Sequence, residues 1–173
     1  MNNDNSRTFE ELTRQYLAVK RSLPRKFAKT AVNFFKRNFR AGGHVGNTFT
    51  KWKKPSSIKK GKTTLVQSGN LRRAIKVVSV SDKRVVVGVN KNIPYAKLHN
   101  EGGTIPITPK MRRFFWSQFI KTGLEQWKWM ALTNKSEIEI PQRQFITPMG
   151  EENKALRKAL NRLAIRELKK LDS

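Results

Sequence analysis

Residues 75–90 read IKVVSVSDKRVVVGVN, two β-branched runs separated by Asp82 and Lys83, and this stretch decides the fold class. Val and Ile carry two heavy atoms on Cβ, which suits a pleated strand better than a helix. A short polar break between two such runs is a hairpin signal, so an antiparallel ribbon is expected here. Neither run alternates strictly between apolar and polar residues, so both faces of the ribbon are expected to be covered.

Just upstream, SGNLRRAI (68–75) reads as one or two helical turns capped by Ser68, whose hydroxyl can accept an orphan backbone N–H. Before it, KWKKPSSIKKGK (51–62) holds six lysines with Pro, Ser and Gly and no consistent period, which makes it an exposed basic loop with Trp52 as its large anchor. Gly42, Gly43 and Gly46 end a helical region that begins near the start of the chain.

Two apolar series lie in that region. Phe9, Leu12, Tyr16, Val19 and Leu23 follow one another at spacings of three and four, and Phe27, Ala31, Phe34, Phe35 and Phe39 continue the pattern. Pro24 stands between them. Proline suits a first turn and damages an interior, so a new helix capped by Ser22 or Leu23 is expected, with one kinked continuous helix as the alternative.

Downstream of the hairpin, Pro94 opens a short helix, YAKLHNE, that Gly102 and Gly103 close, with Tyr95 and Leu98 directed to the core. Thr108 caps the next helix with Pro109 at its first position, the aromatic-rich GLEQWKWMAL follows, and SEIEI alternates as an edge strand with Ile138 and Ile140 on one side. Leu156, Leu160, Leu163, Ala164, Leu168 and Leu171 mark a last amphipathic helix over 151–171. Glu151 and Glu152 at its head and Lys169 and Lys170 at its foot suit the helix dipole.

These elements predict an α+β fold: an antiparallel sheet between 63 and 140, packed by N-terminal (24–39) and C-terminal (151–171) amphipathic helices. At 173 residues the chain is expected to form a single α+β domain over 24–173, preceded by a helical extension at 1–23. The start lacks the apolar core of a secretory signal and the longest apolar run is far short of a membrane span, so no membrane association is expected.

Lys and Arg number 37 against 12 Asp and Glu, a net charge of +25. Such self-repulsion calls for a negative neighbour, nucleic acid or an acidic surface. Lys51, Lys53, Lys54, Lys59, Lys60 and Lys62 are the candidate contacts. Engaging about five phosphates would lower affinity roughly a thousandfold between about 50 and 200 mM salt. An acidic protein neighbour would engage the same lysines, and the sequence leaves the two open.

Catalysis finds little support. His99 and Glu101 match the H-x-E of zinc deaminases, but that chemistry also needs a cysteine pair and the chain has no cysteine. Nothing in the spacing joins His44 to His99 as metal ligands, and the glycines form neither a P-loop nor a dinucleotide fingerprint. No cofactor, no metal and no enzymatic activity are expected. His99 reads as a helix-capping or interface residue.

The order of motifs is more specific than any one of them. Phe39, Gly46, Trp52 and Pro55, then LVQSGNLRRAI, VVVGVN, YAKLHNEGG and PQRQFITP are in an order that resembles the phage virion morphogenesis family, of the Mu-type and tail-completion kind, over roughly residues 24–165. The resemblance maps onto Trp52, onto Leu65, Gly69 and Leu71, onto Gly88 and Asn90, onto Tyr95, Ala96, His99, Gly102 and Gly103, and onto Pro141, Arg143 and Phe145. Gln142 and Gln144 depart from the small residue and the proline of the last turn, and the insert around GLEQWKWMALTNKSE is longer than usual.

The resemblance implies a structural protein that completes the tail or joins it to the head connector as a homo-oligomeric ring. Its partners would be its own copies, tail and connector proteins and, non-specifically, genomic DNA. It would act in the host cytoplasm during assembly and then sit in the virion at the head–tail junction. His99 and Glu101 become candidate contacts with a neighbouring copy, and a basic nucleic-acid-binding protein without catalytic activity is the alternative.

Overall fold

The structure, a computed structural model, describes residues 2–54, 64–66, 68–150 and 153–171, with residues 2–7 as backbone only. Pro55, Lys59, Lys60, Lys62, Glu151 and Glu152 lie outside the described residues. The chain divides into two compact units, Met1–Ala96 with Arg143–Ser173, and Lys97–Gln142.

The first unit is built on one long helix, α1 (Asn2–Ala41), which runs through Pro24 without a break. A new helix after Leu23 is therefore not what forms; the continuous alternative is. Proline removes one intrahelical donor. In that turn the Ser22 hydroxyl donates to the Val19 carbonyl at 2.9 Å, a side-chain bond of the kind that stabilises a perturbed helical turn. Pro24 is also the first buried residue of the helix, so packing against the body holds the segment helical.

From there α1 buries Ala28, Ala31, Phe34, Phe35 and Phe39. Phe39 is the centre of the core, with its ring 5.4 Å from Trp52 and 5.3 Å from Phe145. After α1 the glycines do more than end the helix. Strands β1 (Gly43–Val45) and β2 (Phe49–Lys51) form a small hairpin in which Gly43 pairs with Lys51.

A five-residue helix, α2 (Asn70–Ala74), then leads into β3 (Ile75–Val80), which pairs antiparallel with β4 (Val85–Val89) as the hairpin reading expected. Helix α1 packs on this ribbon. The ribbon is not covered on both faces: only Ile75 of β3 is buried, and β4 is half-buried along its length. One helix can cover one side of a two-stranded ribbon. The other side, with Val78, stays exposed.

Helix α6 (Lys154–Leu168), continued by a 3₁₀ turn at Lys169–Leu171, closes the unit by packing on α1. It buries Leu156 and Leu163 as the spacing expected. Its cap is Asn153, whose Oδ1 accepts from Leu156 N at 3.1 Å while its Nδ2 donates to Thr147 Oγ1 at 2.7 Å.

Helix α3 (Ala96–Glu101) begins where the first unit ends. In the second unit β5 (Gly103–Pro106) pairs antiparallel with β6 (Glu137–Ile140), and two helices, α4 (Pro109–Thr122) and α5 (Glu125–Leu132), pack together between them in sequence. Thr108 caps α4 by accepting from Met111 N at 3.2 Å, with Pro109 at its first position, as expected. Arg112 then ties α4 to the end of α5, donating to the carbonyls of Ala131, Thr133 and Lys135 at 3.0, 2.6 and 3.1 Å.

The fold is α+β, with antiparallel strands packed by N- and C-terminal helices. The strand pairing differs from one sheet over 63–140. Among the described residues it consists of three separate two-stranded ribbons, the first lying upstream of that range.

Candidate functional site

The residues that order the motifs meet around the segment Arg143–Gln144–Phe145. Phe145 is buried against Phe39, and its carbonyl accepts from the Asn38 Nδ2 at 3.1 Å. The Trp52 indole N–H donates to the Gln144 carbonyl at 3.0 Å, and Arg143 Nε donates to the Lys53 carbonyl, also at 3.0 Å. Three consecutive residues are thus bonded to the end of α1 and to the start of the basic loop. Leu71 joins the same buried cluster from α2.

This arrangement is polar as well as apolar. Asn38 is fully buried, and its Oδ1 also accepts from Val45 N at 3.3 Å, so one amide joins α1, β1 and the 143–145 segment. A buried amide with both ends bonded is stabilising, whereas one left unbonded costs about 1–3 kcal/mol. Arg143 is also buried, and desolvation lowers its pKa from the usual guanidinium value; arginine stays charged nonetheless.

The effect is to fix the base of the lysine loop. Lys51, Lys53 and Lys54 are exposed on either side of buried Trp52, held by a backbone that Trp52 and Arg143 pin to the core. Lys59, Lys60 and Lys62 belong to the segment outside the described residues.

Elsewhere the motif glycines have conformational roles. Gly69 precedes α2 in the left-handed region at φ 72°, and it stands at the N-cap position expected for Ser68. Ser68 is one residue further out, with its Oγ 3.4 Å from Asn70 N. Gly102 ends α3 with φ 79°, donating its N–H to Leu98 O at 2.9 Å, and a Cβ there would lie 3.0 Å from the Gln142 backbone nitrogen. No other residue type fits both demands without strain.

Tyr95 is exposed and not directed into the core; Ala96 is the buried residue of that turn, because helical spacing places the two on different faces. His99 is half-buried on α3, and Glu101 is exposed, 3.9 Å from Lys97 one turn earlier. Trp52, Leu71, Arg143 and Phe145 come together inside the first unit, while His99, Glu101, Gly102 and Gly103 belong to the second.

Three buried polar residues were not singled out from sequence: Asn38, Asn153 and Glu167. Asn153 had a readable signal, an asparagine at the head of an apolar helical series. Asn38 and Glu167 had none, since each sits among charged residues that usually face water. Glu167 is buried by α1, where Lys26 and Lys170 donate to its carboxylate at 2.7 and 2.9 Å. The bonds from Lys26 and Lys170 hold its pKa down to about 2.

Among the described residues no three His, Asp or Glu side chains gather as a metal site, and no helix is long and apolar enough to cross a membrane. No curated protein and no solved structure matches the chain. The sequence model of the phage virion morphogenesis family matches residues 2–164. That match takes in both units, the whole of α1 and every motif residue around Phe145, and the chain belongs to the phage virion morphogenesis family.

Proposed function

We propose that the protein is a non-enzymatic structural component that completes the phage tail or joins it to the head connector, working as a homo-oligomeric ring. The observation that carries this reading is the family match over residues 2–164. The net charge of +25 supports a place beside DNA or an acidic assembly partner, as a ring around a passing genome would need. Assembly takes place in the host cytoplasm and the protein remains in the virion at the head–tail junction.

Electron microscopy of particles made without this protein tests the reading. Filled heads and separate tails that fail to join are expected; intact infectious virions would overturn it. A second reading, a nucleic-acid-binding protein, draws on the exposed lysines at 51, 53 and 54. A monomer that retains DNA tightly, with virion assembly unaffected by its loss, would favour that one.

A further inference from the structure

The first half of α1 has an apolar edge with nothing on it. Residues 8–18 are exposed throughout, Phe9 to 73% and Tyr16 to 48%. Phe9, Leu12, Tyr16, Val19 and Leu23 nonetheless keep a strict three–four spacing over about 24 Å of helix. At 3.6 residues per turn, Phe9 and Tyr16 lie within about 60° of Ala31 and Phe34, so the edge continues the helix face that further along is buried in the core. A helix rigid through Pro24 cannot fold this edge back onto its own body.

We propose that residues 8–23 are a docking arm that seats this edge in the groove between α4 and α5 of a second copy. The groove has a volume of about 440 Å³, and its lining includes Trp116, Ile120 and Leu132, which are exposed, together with Arg113 and Lys121. Apolar anchors at helical spacing meeting an apolar groove is a common recognition mode.

Charge selects the partner. Residues 1–12 carry Asp4, Glu10 and Glu11 against Arg7, a net −2, in a chain whose remaining residues carry +27. Glu10 and Glu11 flank Phe9 on the arm, and Arg113 and Lys121 flank the apolar floor of the groove. Two arms pairing with each other is disfavoured on two counts: the series spans two heptads where stable coiled coils use three or four, and the acidic ends are alike.

The inference rests on the self-association proposed above and adds which surfaces make it. The chain has no cysteine, so single cysteines report on contacts directly. Mixing full-length Leu12→Cys with full-length Ile120→Cys under mild oxidation should give the mixed disulfide dimer in preference to either homodimer. A dominant L12C homodimer, or equal trapping by a Val77→Cys copy, would overturn the groove as the seat.

Light scattering supplies the second readout. Glu10→Lys with Glu11→Lys, and separately Arg113→Glu with Lys121→Glu, should each weaken association roughly tenfold or more, and combining the two sets should restore it. These side chains are on the surface, and circular dichroism checks that the fold persists. Unchanged association in the arm variant, or no restoration in the combination, defeats the arm while leaving the ring intact. A wild-type protein that stays monomeric at all concentrations defeats both.

Discussion

The indole N–H of Trp52 donates to the backbone carbonyl of Gln144, 3.0 Å away in space and 92 residues away in sequence. Around this bond Phe39 and Phe145 pack, and from it the basic loop departs. The motif tryptophan is therefore an internal fastener for a loop whose lysines face outward. Its substitution separates the contribution of the ring from that of the N–H. Trp52→Phe keeps most of the buried ring but leaves the Gln144 carbonyl unbonded, which is expected to cost about 1–3 kcal/mol. Trp52→Ala removes both, at about 3–5 kcal/mol. Urea denaturation followed by circular dichroism reads the difference; equal losses would mean that the hydrogen bond contributes nothing.

Phe145→Ala should be among the most destabilising single changes, about 3–5 kcal/mol, because the side chain is almost wholly buried between α1 and Trp52. Phe145→Leu refills most of the volume and should recover a large part of the loss. Thermal melts of both variants check this. A Phe145→Ala protein that melts with the wild type would show that the Phe39 cluster is not the core.

Glu167 makes the stability sensitive to acid in a defined window. Its carboxyl has a pKa near 4.5 in an ordinary setting and is held to about 2 in the fold by Lys26 and Lys170. A depressed carboxylate contributes stability that is fully present above its unfolded pKa and is lost as the pH falls toward its folded one. The stability difference between wild type and Glu167→Gln should thus be constant above about pH 5 and shrink steadily from about pH 4.5 toward pH 2. Urea titrations at a series of pH values measure it, and a difference independent of pH would show that the ion pairs do not operate.

Gly102→Ala should lower stability by about 1–2 kcal/mol, since φ is 79° and the new Cβ would press on the Gln142 backbone. Hydrogen exchange should localise the effect to the end of α3 and the β5–β6 ribbon. Unchanged protection there would place the strain elsewhere.

Replacing Lys51, Lys53 and Lys54 by Ser should leave the melting temperature nearly unaltered, because all three side chains are exposed. If the loop meets DNA, the slope of log affinity against log salt should fall by about 0.7–0.9 for each lysine that contacted a phosphate. Fluorescence anisotropy with a non-specific duplex reads the slope. An unchanged slope assigns these lysines to a protein contact.

Much of this protein is legible in its local pattern. The hairpin at 75–89, the Thr108–Pro109 start of α4, the alternation of Ile138 and Ile140 and the leucines of α6 are local signals: each depends on residues within a turn or two of one another, and each appears where it was read. The motif order that pointed to the family is local in the same sense, because each piece is a turn, a cap or a short strand.

Pro24 shows where local reading stops. Proline alone weighs against a helix interior, and burial of that turn against the body outweighs it. Splitting the strands into three ribbons is decided similarly, since pairing depends on which strand edges the helices leave open.

By itself, then, the sequence determined the helices and hairpin, the excess of positive charge and the family. Only the tertiary structure decided what the singular residues do: Trp52 and Arg143 bind backbone far along the chain, Asn38 links three segments, and Glu167 is a buried anion between two lysines. Periodicity records which face of an element is apolar. A hydrogen bond between residues 90 or more positions apart exists only once packing has brought donor and acceptor together, and no local pattern carries that distance.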